Sequence, residues 1–414
     1  MTARRLRFFA LYWTRFAGGF GFITLVTLLP KYVDVLSASD LMAGLFLAVF
    51  TLVQTVAVVP LAWAGDRHDK RLVLLGCLAL GIGVYAAFTL VGSSVELLVV
   101  RGAQAVVVTG MGLMSLALVG ELSEAAARAR HIGTANAFRF AASIIGSLSA
   151  GLLYDRYGFE PVFYVIAGLF ALTFLLVVFV LDPDPTTVEG FPFADLALSP
   201  RILALSSFRG QYAVAVTLVR AWVAYFAGLP LAKGGLGYSA FAVSVVLVSE
   251  KATNMFFQPF TGRLSDRFGR SLFVFAGGGA YGLVALVIPF TPFLGDALSA
   301  PAVVPLVGSV SVAFLPLLAV NGLLGIADSF REPASMALFA DEGADGDGVA
   351  SSFGVRELVW RPGSVIAPVV GGWLMGVAGI DAVFYLGGVA AIAGAVTFLA
   401  LLVRQFGPNA LLEW

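Results

Sequence analysis

About twelve apolar runs, each roughly 20 residues or longer, follow one another along this chain. They fall near 8–33, 41–64, 72–93, 97–120, 132–154, 160–181, 208–231, 238–261, 272–293, 302–340, 349–376 and 381–403. A run of that length crosses the hydrocarbon core of a bilayer as a helix, whose backbone groups satisfy one another away from water. The chain therefore reads as an all-α integral membrane protein with about twelve spans. The tenth run is too long for one straight span, so its first part, around Pro301 to Pro305, reads as an external loop. Only 12% of the residues are charged, about half the share in soluble domains, and 59% are hydrophobic. A formal net charge of zero argues against nucleic acid as a partner. The single cysteine, Cys77, excludes an intramolecular disulfide.

The basic residues set the expected topology. With the N-terminus inside, the inner loops hold Arg4, Arg5, Arg7, Arg67, Lys70, Arg71, Arg128, Arg130, Arg201, Arg263, Arg267, Arg270 and Arg404. The outer loops then hold only Lys31, Arg156 and Lys233. Both termini are expected in the cytoplasm, and Met1 to Phe9 reads as the flank of the first span, with no cleavage site after it.

A short charged stretch occurs twice between apolar runs, as Ala62–Arg71 and as Thr261–Arg270. Asp66 and Asp266 lie about 200 positions apart, which points to two structural repeats. Gly151, Gly158, Phe163 and Tyr164 match Gly372, Gly379, Phe384 and Tyr385 at one spacing of about 221. The proline-bearing stretch that begins at Asp182 separates the halves. The expected division is 1–181, a linker over 182–206, and 207–414. Each charged stretch is expected to make a tight turn that its glycine, Gly65 or Gly262, eases, with its cations on the inner side.

Gly262, Leu264, Asp266, Arg267, Gly269 and Arg270 resemble the loop signature of the major facilitator superfamily, between helices two and three and again between eight and nine. The first copy departs from it, with Ala62 and Asp69 in place of glycines. The resemblance implies two six-helix bundles related by pseudo-symmetry, and alternating access. It assigns Gly65, Asp66, Arg67, Arg71, Gly262, Asp266, Arg267, Gly269 and Arg270 to gating loops. Asp66 is expected to meet helix eleven and Asp266 helix five, with Arg356 and Arg139 as the cations. Arg101 and Gln104 are similar to the family's helix-four signature, whose arginine is associated with proton coupling, although Ala105 replaces its glycine. Ser147 and Ala150 interrupt the antiporter signature of helix five, and Pro368, Gly371 and Gly372 carry the like residues in helix eleven. The Leu-Pro-Lys-Tyr end of helix one is closest in appearance to drug–proton antiporters.

Charges inside spans cost roughly 2.5–3.5 kcal/mol each, so each asks for a reason. The first half carries Arg15, Arg101 and Arg139, with Gln54 and Gln104 as neutral companions. The second half carries Arg220, Glu250, Lys251, Asp328, Arg331, Glu332, Arg356, Glu357 and Arg361. Asp328, Arg331 and Glu332 share one helix face, and Pro333 is expected to break that helix locally and free carbonyls. The set reads either as an ion-pair network that locks the half together or as the site for solute and protons. Glu250 and Asp328 are the candidate proton carriers.

No nucleotide, cofactor or metal-ligand motif is found, and the acidic run Asp341 to Gly348 lacks the pattern of a calcium loop. The expected function is not enzymatic. It is secondary transport of a small organic solute by a monomer in the cytoplasmic membrane, with protons as the coupling ion and efflux as the direction. Two alternatives stay open: uptake of an organic anion, and a polytopic membrane enzyme or sensor.

Overall fold

A computed structural model describes residues 3–124, 128–183, 199–344 and 349–413. Most of the 182–206 stretch, and 345–348 of the acidic run, lie outside these residues. Twelve long helices are seen: α1 Ala3–Val35, α2 Asp40–Arg67, α3 Lys70–Ala87, α4 Ser94–Leu122, α5 Arg128–Tyr157 and α6 Phe159–Val180. They continue as α7 Pro200–Gly228, α8 Ala240–Phe268, α9 Arg270–Val287, α10 Phe314–Ala344, α11 Val349–Ala378 and α12 Ile380–Phe406. Eleven of them are long and apolar enough to cross a membrane by length and composition. The twelfth, α11, has the length but carries Arg356, Glu357 and Arg361. The long tenth run resolves as the sequence suggests. Val303–Val304 pairs with Gly308–Ser309 as a two-stranded hairpin, and α10 begins only at Phe314.

Two compact units form. The first comprises Met1–Ala38, Val49–Pro192 and Ser239–Ser244; the second Ser39–Ala48, Phe193–Tyr238 and Val245–Trp414. In the first, α1 packs on α4, α5 and α6, and α3 on α4 and α6. In the second, α7 packs on α10, α11 and α12, and α9 on α10 and α12. The same pairings therefore recur with each helix advanced by six, which is the duplication in three dimensions. Gly158 and Gly379, matched in the sequence, both take left-handed φ values of 78° and 86° just before α6 and α12. Only a residue without Cβ takes that conformation cheaply.

Two sequence expectations change. Gly65 does not make the turn: it lies inside α2, and a Cβ there would come 2.5 Å from Met114 Cε. It is a packing glycine that lets α2 approach α4. Gly262 likewise lies inside α8. The turn glycine is Gly269, at φ 99°, just before α9. In the other copy Asp69 stands there at φ −54° and accepts the Arg71 N–H at 2.8 Å, an N-cap for α3. Pro333 does not break α10, which runs through it. Proline cannot donate to the carbonyl four residues back, so Ser329 O is freed. The Thr261 hydroxyl of α8 donates to that carbonyl at 2.6 Å. The orphan acceptor is thus satisfied by the neighbouring helix rather than by a cavity.

Candidate functional site

The second unit concentrates charge. Asp328 is the fifteenth of 31 residues in α10, near the middle of the span, and is fully buried. Its carboxylate accepts from Arg331 Nη2 at 2.5 Å, Arg220 Nη2 at 2.6 Å, Tyr212 OH at 3.3 Å and Asn254 Nδ2 at 3.3 Å. A carboxylate offers about four lone-pair directions, so this one is filled. Arg220 Nε also donates to Glu250, which is 3% exposed, and Lys251 Nζ reaches Glu250 Oε2 at 3.4 Å. A single guanidinium from α7 thus joins an acid of α8 to an acid of α10. The Arg220 side chain keeps 31% exposure and Lys251 keeps 30%, so the cluster has an open side. The Arg331 guanidinium lies 4.4 Å from the centre of the Tyr212 ring, a cation–π contact in a dry setting. The Tyr281 hydroxyl is buried and has no hydrogen-bond partner among the described residues. Tyr281 lies within electrostatic reach of Arg220, Glu250 and Asp328.

A second cluster lies on α7 and α11. Glu357 accepts from Arg356 Nη1 at 2.8 Å and from Arg209 Nη2 at 3.4 Å, and Arg361 stands 4.0 Å away. Arg209 Nε donates to Arg356 O at 2.8 Å, and its guanidinium lies 4.6 Å from the centre of the Trp360 ring. Glu332 is half-buried within electrostatic reach of Arg209, Arg331 and Arg356. All nine second-half candidates thus fall into two adjoining groups on α7, α8, α10 and α11.

In the first unit Arg101 is 1% exposed, not directed to the interface. Arg101 Nη1 donates to Gln104 Oε1 at 2.5 Å, and the guanidinium lies 4.6 Å from the Phe50 ring centre. Gln104 Nε2 passes the chain on to Tyr85 OH at 2.9 Å and Gly21 O at 3.3 Å.

The loop residues make local contacts of their own. Asp266 accepts from Arg270 Nε at 2.9 Å, and Arg270 also pairs with Asp341 of α10. Arg67 and Arg267 are exposed, and Asp66 is half-buried. Arg71 Nη2 donates to Val178 O of α6 at 2.8 Å. The buried Lys70 pairs with Glu121 of α4 at 2.9 Å. At the same end Arg4 bonds Glu124 at 2.6 Å, which holds that exposed carboxyl below its usual range.

The sequence profile of the Major Facilitator Superfamily matches residues 11–321. The chain belongs to that superfamily. Among similar sequences are multidrug resistance proteins MdtG from Proteus mirabilis, 26% identical over 42% of this chain and 44% of the relative, and from an Escherichia coli strain, 25% over 40% and 41%. The match thus spans less than half the length of those relatives. A bacterial homologue of the human lysosomal transporter Spinster, in an inward-facing and occupied conformation, superimposes with a TM-score of 0.73 at 15% identity over 98% of both chains. A POT family transporter in complex with 5-aminolevulinic acid gives 0.73 at 13% over 97% and 96%. A superfamily member is a multi-pass membrane transporter of small molecules, and twelve helices in two like units agree with that.

Sequence reasoning missed Arg209, Tyr212, Asn254 and Tyr281, and it placed Arg220 and Lys251 in the charged set without singling out either. Arg209 escaped because the seventh run was started at 208, which made it a flank. The helix begins at Pro200, so Arg209 is its tenth residue and 5% exposed. Tyrosine and asparagine in an apolar run carry no mark of their partners.

Proposed function

We propose that this superfamily member is a proton-coupled secondary transporter of the cytoplasmic membrane that expels a small organic solute, with both termini cytoplasmic and the monomer as the working unit. The observation that carries the coupling is the sharing of Arg220 between Glu250 and Asp328. A proton on either acid removes one of the two charges that hold Arg220, so proton binding loosens a tie between α7, α8 and α10. The open side of Arg220 and Lys251 gives protons and solute a way in. Arg331, Glu332, Arg356, Glu357 and Arg361 set the field around that tie, and Arg101 with Gln104 is the counterpart in the first unit. Asp66, Gly65, Arg67 and Arg71, with Gly262, Asp266, Arg267, Gly269 and Arg270, act in gating. The basic residues that favour one set of loops support the orientation. The name of the MdtG relatives supports export.

The test is proton movement by purified protein in liposomes carrying an internal pH indicator, on addition of lipophilic cations, organic anions and neutral drugs. At least one solute should move protons in the wild type, and Glu250→Gln and Asp328→Asn should each abolish the signal while solute counterflow persists. Unchanged proton movement in both variants removes the coupling assignment. A second reading, uptake of an organic anion, is favoured by one observation: the α1, α4 and α5 spans of the first unit hold Arg15, Arg101 and Arg139 and no carboxylate.

A further inference from the structure

We propose that Arg15, Arg139 and Asn136 form an anion site in the first unit, which takes the carboxylate of an organic acid carried by this transporter. The inference rests on the transport reading and holds for either direction.

The placement begins with α1, α4 and α5. Arg15 Nη1 donates to Gly112 O of α4 at 3.4 Å, and Nη2 to Asn136 Oδ1 of α5 at 3.4 Å. Both are long for charged donors, and the buried Arg15 Nε has no hydrogen-bond partner among the described residues. A Cβ on Gly112 would come 3.1 Å from Arg15 Nη1, so the glycine leaves the room that the guanidinium occupies. One turn along α1, Gly19 does the same for Arg139, whose Cγ would be 3.2 Å from a Cβ there. Arg139 is exposed, lies over Phe140 at 5.1 Å, and is within electrostatic reach of Arg15. Two like charges are thus gathered on facing helices. No Asp or Glu occurs in α1 between 8 and 33, in α4 between 97 and 120, or in α5 between 132 and 154.

The second unit shows what the fold puts in this position. The spacing of about 221 that relates α5 to α11 brings Asn136 onto Glu357 and Ala142 onto Gly363. A spacing of about 194 relates α1 to α7 and brings Arg15 onto Arg209 and Gly19 onto Ala213. Packing agrees with the register: a Cβ on Gly19 would lie 3.3 Å from Ala142 Cβ, and one on Gly363 would lie 2.9 Å from Ala213 Cβ, the same neighbours with the small residues exchanged. Arg209 Nη2 accordingly donates to Glu357 Oε1 as Arg15 Nη2 does to Asn136 Oδ1, both at 3.4 Å. The second unit closes its arginine cluster with a built-in carboxylate. The first presents the same geometry with a neutral amide facing Arg15, whose unfilled guanidinium fork matches a carboxylate, and Arg139 adds a second positive charge beside it.

The test measures the thermal midpoint of the purified full chain with 1-naphthoate, its neutral isostere 1-naphthamide, tetraphenylphosphonium and inorganic sulfate. Naphthoate should stabilise the wild type and naphthamide should not. Arg15→Gln and Arg139→Gln should weaken apparent naphthoate binding roughly tenfold or more, the loss of one charge-assisted pair. Asn136→Glu guards against variants that merely misfold. It supplies the missing carboxylate, so it should raise the midpoint of the unliganded protein and abolish the naphthoate shift. The site is overturned if Asn136→Glu lowers the midpoint and keeps the shift, or if only naphthamide or tetraphenylphosphonium stabilises. Sulfate acting alone, through Arg15, overturns the assignment to an organic acid. Binding at equilibrium needs no coupling, so failure of the Glu250 and Asp328 test leaves this result readable by itself.

Discussion

The two units share helix pairings but not charge. The second carries Arg209, Arg220, Lys251, Arg331, Arg356 and Arg361 woven into ion pairs with Glu250, Asp328 and Glu357, and Glu332 lies within electrostatic reach of three of these arginines. The α1, α4 and α5 spans of the first carry Arg15, Arg101 and Arg139 without an acid, met by carbonyls, an amide and aromatic rings. The difference teaches a division of labour. A protonation event can change the charge of the second unit through its acids or through Lys251, whereas arginine keeps its charge throughout. The first unit is a fixed positive surface, and the second is the part whose bonds can be rewritten by a proton.

The sharpest way to break the comparison is to remove one acid from the woven side. Asp328→Ala leaves Arg220 and Arg331 without their shared carboxylate in a buried setting. A loss of about 3–5 kcal/mol is expected for an uncompensated buried charge, read as the largest fall in the thermal midpoint of the purified protein. Replacing Arg331 together with Asp328 by apolar residues should recover part of it. If Asp328→Ala costs no more than a change at Arg101, the second unit is not a closed network.

The loops sharpen the comparison next. Gly269 sits at φ 99°, and a Cβ there would meet Leu412 O at 2.5 Å, so Gly269→Ala must strain the backbone or push the chain end aside. About 1–3 kcal/mol is expected. The matching residue of the first unit, Asp69, has ordinary φ and acts as a cap, so Asp69→Ala should cost about 1 kcal/mol. Equal costs would mean that the two turns are alike after all.

On the arginine side, Arg101→Met keeps bulk against Phe22 and Phe50 but removes the cation–π contact and the bond to Gln104. Gln104 retains Tyr85 and Gly21, so no buried donor is stranded on it. About 1–2 kcal/mol is expected, measured by the same unfolding transition. A loss as large as that of Asp328→Ala would show that this arginine is as tightly committed as those of the second unit.

The spans, the duplication and the charged candidates of the second unit were legible because apolar runs and isolated charges need no partner to be recognised. What was not legible depended on partners. Gly65 looks like a turn glycine until Met114 is placed beside it. Pro333 announces a missing donor, but not that Thr261 fills the gap. Tyr281 gives no signal in its apolar run, although its hydroxyl ends up buried near the ion-paired acids. The likeness of Arg15 to Arg209 appears only through two different repeat spacings, because the segment between α6 and α7 and the turns shift the register from helix to helix.

The smallest expected effect concerns an ion pair at the loop end of the first unit. Arg4 lowers the Glu124 carboxyl below its ordinary range, so the group adds stability while ionised, above the usual glutamate pKa. That contribution fades as pH falls through the lowered value, since the folded protein must then take up the proton. Both partners are largely exposed, with side chains 53% and 72% accessible, so solvent and salt screen the pair. The thermal midpoints of wild type and Glu124→Gln should therefore differ slightly at pH 7 and low salt, and converge on acidification or in high salt. A gap that widens on acidification would reverse the sign and place the stabilising form of Glu124 in its protonated state. No such convergence should follow from Arg101→Met, whose partners Gln104, Phe22 and Phe50 do not titrate. The pH dependence of single variants is thus a second readout of the same contrast, separating arginines held by acids from arginines held by neutral groups.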